Sequence, residues 1–163
     1  MRLTIILVLI GFLTACTSGN KKSYSSKERE RRARLETQSV NQMMQSGRLP
    51  PIEFEFDSSV IKPESYPTLD KIAEILLKTP RIKLVIEGHT DHIGSDAYND
   101  QLSQIRAESA KQYIASKGVP PDSIRTYGYG KRRRVSEGTS AEDMALNRRI
   151  EFVFTYREWD AIF

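Results

Sequence analysis

The sequence has one cysteine, Cys16, and two histidines, His89 and His92, in 163 residues. A lone Cys cannot close an internal disulfide, and it excludes zinc sites built from several thiolates. With only His89 and His92, three-histidine metal sites are excluded as well. Long apolar runs are equally scarce. Only Leu3–Leu13 is nearly unbroken, and it falls short of the ~20 residues that a bilayer-spanning helix needs. No internal repeat is visible. Gly128-Tyr129-Gly130-Lys131 lacks the spacing of a phosphate-binding loop, and no Ser/His/Asp set stands in a persuasive catalytic context. Nothing in these features points to catalysis or to a bound cofactor, and neither is expected. A composition of 39% hydrophobic and 28% charged residues is ordinary for a globular protein and excludes disorder throughout.

The charge is informative once it is located. The chain carries 25 Lys and Arg against 21 Asp and Glu, and its pI is near 9.2. Taken whole, that balance invites a nucleic-acid or anionic-surface partner. Residues 1–50, however, hold nine basic and three acidic residues, whereas residues 51–163 hold 16 basic and 18 acidic. The basic excess lies entirely upstream of a slightly acidic domain.

Residues 1–15 (MRLTIILVLIGFLTA) read as a secretion signal, with Arg2 before an apolar stretch. They end in Leu13-Thr14-Ala15-Cys16, which resembles the lipobox of bacterial lipoproteins. That resemblance implies cleavage before Cys16, acylation of its thiol, and attachment to outer-membrane lipid. Thr17, where an Asp would favour retention at the inner membrane, points to the outer membrane. Residues 16–50 are polar and basic and read as a lipidated N-terminus and flexible tether, with some helix around Lys27–Met44. Their Arg29–Arg34 cluster suits a solvated spacer or anionic headgroups and wall polymer. Nucleic acid is not an expected partner of an exported chain.

In residues 51–163 the hydrophobic period alternates. Ile52, Phe54 and Phe56 alternate with Glu53 and Glu55, predicting a half-buried strand. Pro63 opens a helix with Leu69, Ile72, Ala73 and Leu76 on one stripe, ending before Pro80. Ile82, Leu84 and Ile86 predict a strand stopped at Gly88. A long helix capped by Asp96 runs to Lys117 and stops at Gly118, with Leu102, Ile105, Ser109 and Tyr113 expected to face the sheet. A strand at Ile124–Tyr127, a helical turn near Ala141–Leu146 and a strand from Ile150 to Tyr156 complete the series. The order predicts an α+β, βαβαβ(β) two-layer sandwich with a mixed sheet and helices on one face.

Polar residues that a core does not explain gather around Glu87-Gly88-His89-Thr90-Asp91 and along the following helix. Asn99, Ser103 and Arg106 are spaced +4 and +7 there and share one flank. A loop carboxylate and a helix guanidinium facing across a cleft would complement a ligand bearing both ammonium and carboxylate. The same pair also reads as an internal salt bridge holding loop to helix. His89-x-x-His92 with Glu87 and Asp91 invites a metal, but the pair lies on a loop with no third histidine, and no metal is expected there.

Phe56-Asp57, GHTDHIGSDAYNDQLSQIRA (Gly88–Ala107), Gly128–Gly130 and NRRIEF (Asn147–Phe152) resemble the OmpA C-terminal domain family over nearly all of residues 51–163. With the lipobox and tether, the layout is similar to that of the Pal-type lipoproteins. The resemblance implies non-covalent binding of peptidoglycan through the diaminopimelate of its stem peptide, in the periplasm. It assigns Asp91 to the amino-acid end of diaminopimelate and Arg106 to its carboxylate. Asn99 and Arg148 become further contacts, Phe56 and Asp57 line the cleft, and Thr90 and Leu102 belong to the same motifs. It also implies envelope-protein partners such as Tol-system components, and leaves open a scaffold whose main partner is another envelope protein. The motor stator subunits share this domain but keep a transmembrane helix.

The sequence departs from the family in two places. Asp143-Met144-Ala145-Leu146 replaces the usual Gly-Arg-Ala before Asn147, and Arg134 closes the basic run Lys131–Arg134 where relatives often carry a proline. The basic loop reads either as attraction for wall polymer or as a solvated loop. The tail Arg157–Phe163 extends past the usual end.

Overall fold

Prolines set the first elements of the domain. The computed structural model describes residues 25–46, 49–156 and Trp159. Residues 1–24, with the expected signal and Cys16, lie outside the described residues, as does most of the tail. Pro63 opens a single 3-10 turn, Pro63–Ser65, and α2 (Tyr66–Lys78) follows with Pro67 in its first turn, where a missing N–H costs nothing. The stripe Leu69, Ile72, Ala73 and Leu76 is buried, as its spacing predicts.

Among the described residues, three strands form the sheet. Central β1 (Lys83–Gly88) pairs in parallel with β2 (Ile124–Gly128) and antiparallel with β3 (Ile150–Thr155). Leu84 and Ile86 of β1, Ile124 of β2 and Phe154 of β3 face a core shared with α2 and with α3 (Asp96–Ser116). The expected α+β architecture with a mixed sheet is observed.

Three expectations are corrected. Residues 52–56 do not add a strand to the sheet. They fold back on themselves, with one bridge between Phe54 and Ile61 and with Lys62 N–H donating to Glu53 O at 3.0 Å. The alternation buries Ile52 and half-buries Phe54, but the chain turns at Asp57 (φ 49°) and leaves Phe56 98% exposed.

The sheet-facing stripe of α3 is also rotated from the expected one. Ser103, Ala107, Ala110 and Ile114 are buried, whereas Ile105 is exposed and Leu102 only partly covered. Contact distance explains the choice. A Cβ on Gly88 would lie 2.2 Å from Ser103 O, and one on Gly128 would lie 2.5 Å from the Gln104 backbone nitrogen. The helix runs so close to β1 and β2 that only small side chains fit between. Its N-cap is Ser95, whose Oγ accepts from Tyr98 N–H at 3.2 Å, rather than Asp96, whose charge instead complements the first turn.

Finally, the helix expected around Lys27–Met44 is present as α1 (Ser26–Gln45), but it is docked on the domain instead of lying in a flexible tether. The Asn41 side-chain amide donates to Phe154 O and accepts from Phe154 N–H, both at 3.1 Å. β3 is an edge strand, so this one amide occupies a position where a further strand would pair. Val40 packs beside it against the core, which supplies the apolar contact that the polar composition conceals.

Candidate functional site

The loop after β1 is held as if the strand continued. His89 N–H donates to Arg149 O at 3.0 Å, and Thr90 N–H donates to Gly130 O at 2.9 Å. Thr90 is thereby buried, and its hydroxyl donates to Asp91 O at 3.1 Å. Asp91 emerges at the end of this rigid path. One carboxylate oxygen accepts from Ile93 N–H at 3.0 Å, and the other accepts from Arg148 Nη1 at 2.9 Å.

Arg148 thus occupies the place facing Asp91 that the sequence assigned to Arg106. Arg106 is 8% exposed; its guanidinium donates from Nε to Ser58 O at 2.9 Å and lies 5.1 Å from the centre of the Phe54 ring. Among the described residues it forms no ion pair with a carboxylate. Burial pushes it below its ordinary pKa, partly opposed by Tyr98, Asp57 and Asp91 nearby, but an arginine keeps its charge. A largely desolvated cation with free donor capacity is costly unless an anion meets it.

The remaining expected residues divide between support and lining. Asn99 is buried, and its amide donates to Ile93 O at 2.8 Å and Ser95 O at 3.1 Å, so it fastens the loop to the start of α3. Asp57 accepts a hydrogen bond from the Tyr98 hydroxyl. Asp57 and Leu102, with Ser58, Tyr98 and Ile105, line a groove of about 390 Å³ beside Arg106. Phe56 projects into solvent next to Asp57 rather than lining the groove.

Two residues support the site from behind: Asn147, which sequence spacing does not single out, and Ser103, expected on the flank that carries Asn99 and Arg106. Asn147 is fully buried; its Oδ1 accepts from Val135 and Ser136 N–H at 2.8 and 3.1 Å, and its Nδ2 donates to Ser136 O at 2.8 Å. It orients the chain just before Arg148. Ser103 Oγ accepts from Gly130 N–H at 2.9 Å, tying the Gly128–Gly130 turn to α3. The basic loop is spent locally: Lys131 pairs with Asp96 at 2.9 Å, Arg132 with Asp100, Arg133 with Glu87 at 3.4 Å, and Arg134 with Glu137.

His89 lies behind the loop. Its ring is buried, stacks on Tyr129 with centroids 5.6 Å apart, and has no hydrogen-bond partner at either nitrogen. Burial, helped by the Arg149 cation, pushes its pKa down to about 4, so the imidazole is neutral near pH 7.

The OmpA family model matches residues 53–148. The chain is 42% identical over 100 residues to outer membrane porin F of Pseudomonas fluorescens, covering 61% of this chain and 31% of that one. It is 41% identical over 98 residues to the peptidoglycan-associated lipoprotein of Pseudomonas aeruginosa, covering 60% and 58%. The matched segment thus spans less than two thirds of these curated relatives. The crystal structure of the peptidoglycan-associated lipoprotein from Burkholderia pseudomallei superposes with a TM-score of 0.62 at 30% identity, covering 64% of this chain and 88% of that one. Members of this family are structural, not enzymatic. From the matched motifs and the shared fold alike, the chain belongs to the OmpA family.

Proposed function

We propose that this protein is an outer-membrane lipoprotein, held by acylated Cys16, whose periplasmic domain binds peptidoglycan non-covalently through the diaminopimelate of the stem peptide. It would link the outer membrane to the wall. The observation that carries the reading is Arg106, a nearly buried guanidinium with no carboxylate partner among the described residues, set beside a groove. A diaminopimelate carboxylate supplies the missing anion in a bidentate geometry. Asp91 can take the ammonium of the same amino-acid end, because a carboxylate has acceptor capacity beyond its bonds to Arg148 and Ile93.

Sedimentation with purified sacculi tests this, using the full chain in detergent. The wild type is expected to pellet with the wall, and Arg106→Ala and Asp91→Asn are each expected to weaken binding at least tenfold. Amidating the diaminopimelate carboxylate should weaken it similarly, since Arg106 then loses its charge partner. Equal pelleting of wild type and Arg106→Ala would remove the assigned role. Phe56 at 98% and Val60 at 61% exposure favour a second reading, a scaffold that docks another envelope protein, Tol-system components among them. Binding to sacculi stripped of protein separates the two.

A further inference from the structure

The register of β1 against β3 places Glu87 directly opposite Glu151. Like charges at such a position repel across the short cross-strand distance. His89 follows Glu87 by two residues and so shares its face of the sheet. Its side chain is 1% exposed, neither ring nitrogen has a hydrogen-bond partner, and Nε2 lies 3.9 Å from Glu151 Oε1, beyond hydrogen-bonding reach. One potential ligand atom from each of Glu87, His89 and Glu151 lies within 4.8 Å of the other two. Two facing carboxylates and a buried imidazole with an unused lone pair are thus drawn to one point.

We propose that Glu87, His89 and Glu151 form a binding site for a zinc-class divalent cation. One imidazole nitrogen and two carboxylates are a donor set that zinc accepts, with water as a fourth ligand. At bonds of about 2.1 Å, tetrahedral ligand atoms stand about 3.4 Å apart, so the three side chains close by about 1 Å or somewhat more through rotamer adjustment. Both carboxylates retain some exposure and give the ion a way in. The ion would offset the Glu87–Glu151 repulsion and clamp β1 to β3 where Asp91 and Arg148 emerge.

Two arginines compete with it. Arg149 Nε holds Glu151 Oε1 at 2.6 Å, and Arg133 Nη1 approaches Glu87 Oε2 at 3.4 Å while lying over the Tyr129 ring. The second contact is long, so Arg133 is the competitor more readily displaced. This donor set differs from the His89-x-x-His92 pair visible in the sequence. His92 is outside the group, and Glu151 enters it only through strand register.

The test is zinc titration of the untagged, chelator-stripped full chain in detergent, carrying Cys16→Ser so that no thiol contributes. Calorimetry is expected to give one zinc per chain with a micromolar or tighter dissociation constant. Glu151→Gln should weaken it at least tenfold, Arg133→Ala should strengthen it severalfold, and His92→Ala should leave it unchanged. In NMR spectra zinc should shift the His89 ring resonances and not those of His92. Glu151 is partly exposed, so its variant keeps the test valid should a His89 variant fail to fold. Absence of stoichiometric binding at 100 µM zinc, binding that survives Glu151→Gln, or binding lost in His92→Ala would each overturn the site. The outcome is independent of whether the chain binds sacculi.

Discussion

At the scale of single residues, the same chemical types serve two purposes, and burial separates them. Asp91 and Arg148 form a visible pair, whereas Arg106 is held by a carbonyl and an aromatic ring and keeps guanidinium nitrogens to offer. His89 is the opposite case, a neutral group whose protonation the fold resists. Glu87 and Glu151 face it from β1 and β3, Arg149 faces it from the β3 approach, and Arg133 from the basic loop. Its pKa is lowered from 6.5 to about 4, so the unfolded chain takes up the proton first as pH falls. The stability difference is fully present above pH 6.5 and is lost progressively between 6.5 and about 4, amounting to about 3 kcal/mol. In metal-free buffer, NMR titration of the folded protein should show the His89 ring protons moving with a midpoint near 4. A midpoint near 6.5 would refute the desolvation account.

At the scale of elements, what could be read from the sequence depended on whether burial came from the element's own periodicity. α2 was legible because Leu69, Ile72 and Leu76 are large and lie on one stripe. The face of α3 was not, because close approach at Gly88 and Gly128 selects small residues and turns Ile105 outward. Residues 52–56 carried a true alternation, but their partner was the return through Ile61 and Lys62, a pairing that no local pattern encodes. At the site, Asp91, Asn99 and Arg106 were legible from spacing. The Asp91–Arg148 pair and Glu151 opposite Glu87 were not, since both follow from the β1–β3 register. The docking of α1 was hidden for a similar reason: its contacts are scattered and mostly polar, with Val40 against the core, the Asn41 amide on β3, buried Thr37, and Arg34 on Tyr156. Asn41→Ala should therefore cost about 1–2 kcal/mol through its two lost bonds. Hydrogen exchange should show the Phe154 amide losing protection while Leu84 and Ile86 in central β1 keep theirs. Unchanged exchange at Phe154 would mean that the helix does not guard this edge.

At the scale of the whole molecule, docking of α1 changes what an anchor at Cys16 would do. With Ser26–Gln45 fixed to the domain, the stretch from Cys16 to Ser25 can span at most about 35 Å fully extended. Reach toward the wall is then set by the size of the folded unit more than by a long free tether. Cys16→Ala should abolish palmitate labelling and release the protein from membranes in fractionation; retention there would place the anchor elsewhere. The charge distribution bears on the same question. Nine of the basic residues precede residue 51, while the domain itself is slightly acidic, so adsorption to an anionic wall by bulk charge and recognition through Arg106 predict different salt responses. Screening lengths fall from about 10 Å at 0.1 M salt to about 3 Å at 1 M, which removes attraction between exposed charges but spares a nearly buried guanidinium paired at contact. Wild-type binding to sacculi should therefore fall less than about tenfold across that range, whereas the residual binding of Arg106→Ala should vanish. If 1 M salt strips the wild type as completely as the variant, the basic segment upstream binds the wall and the groove does not.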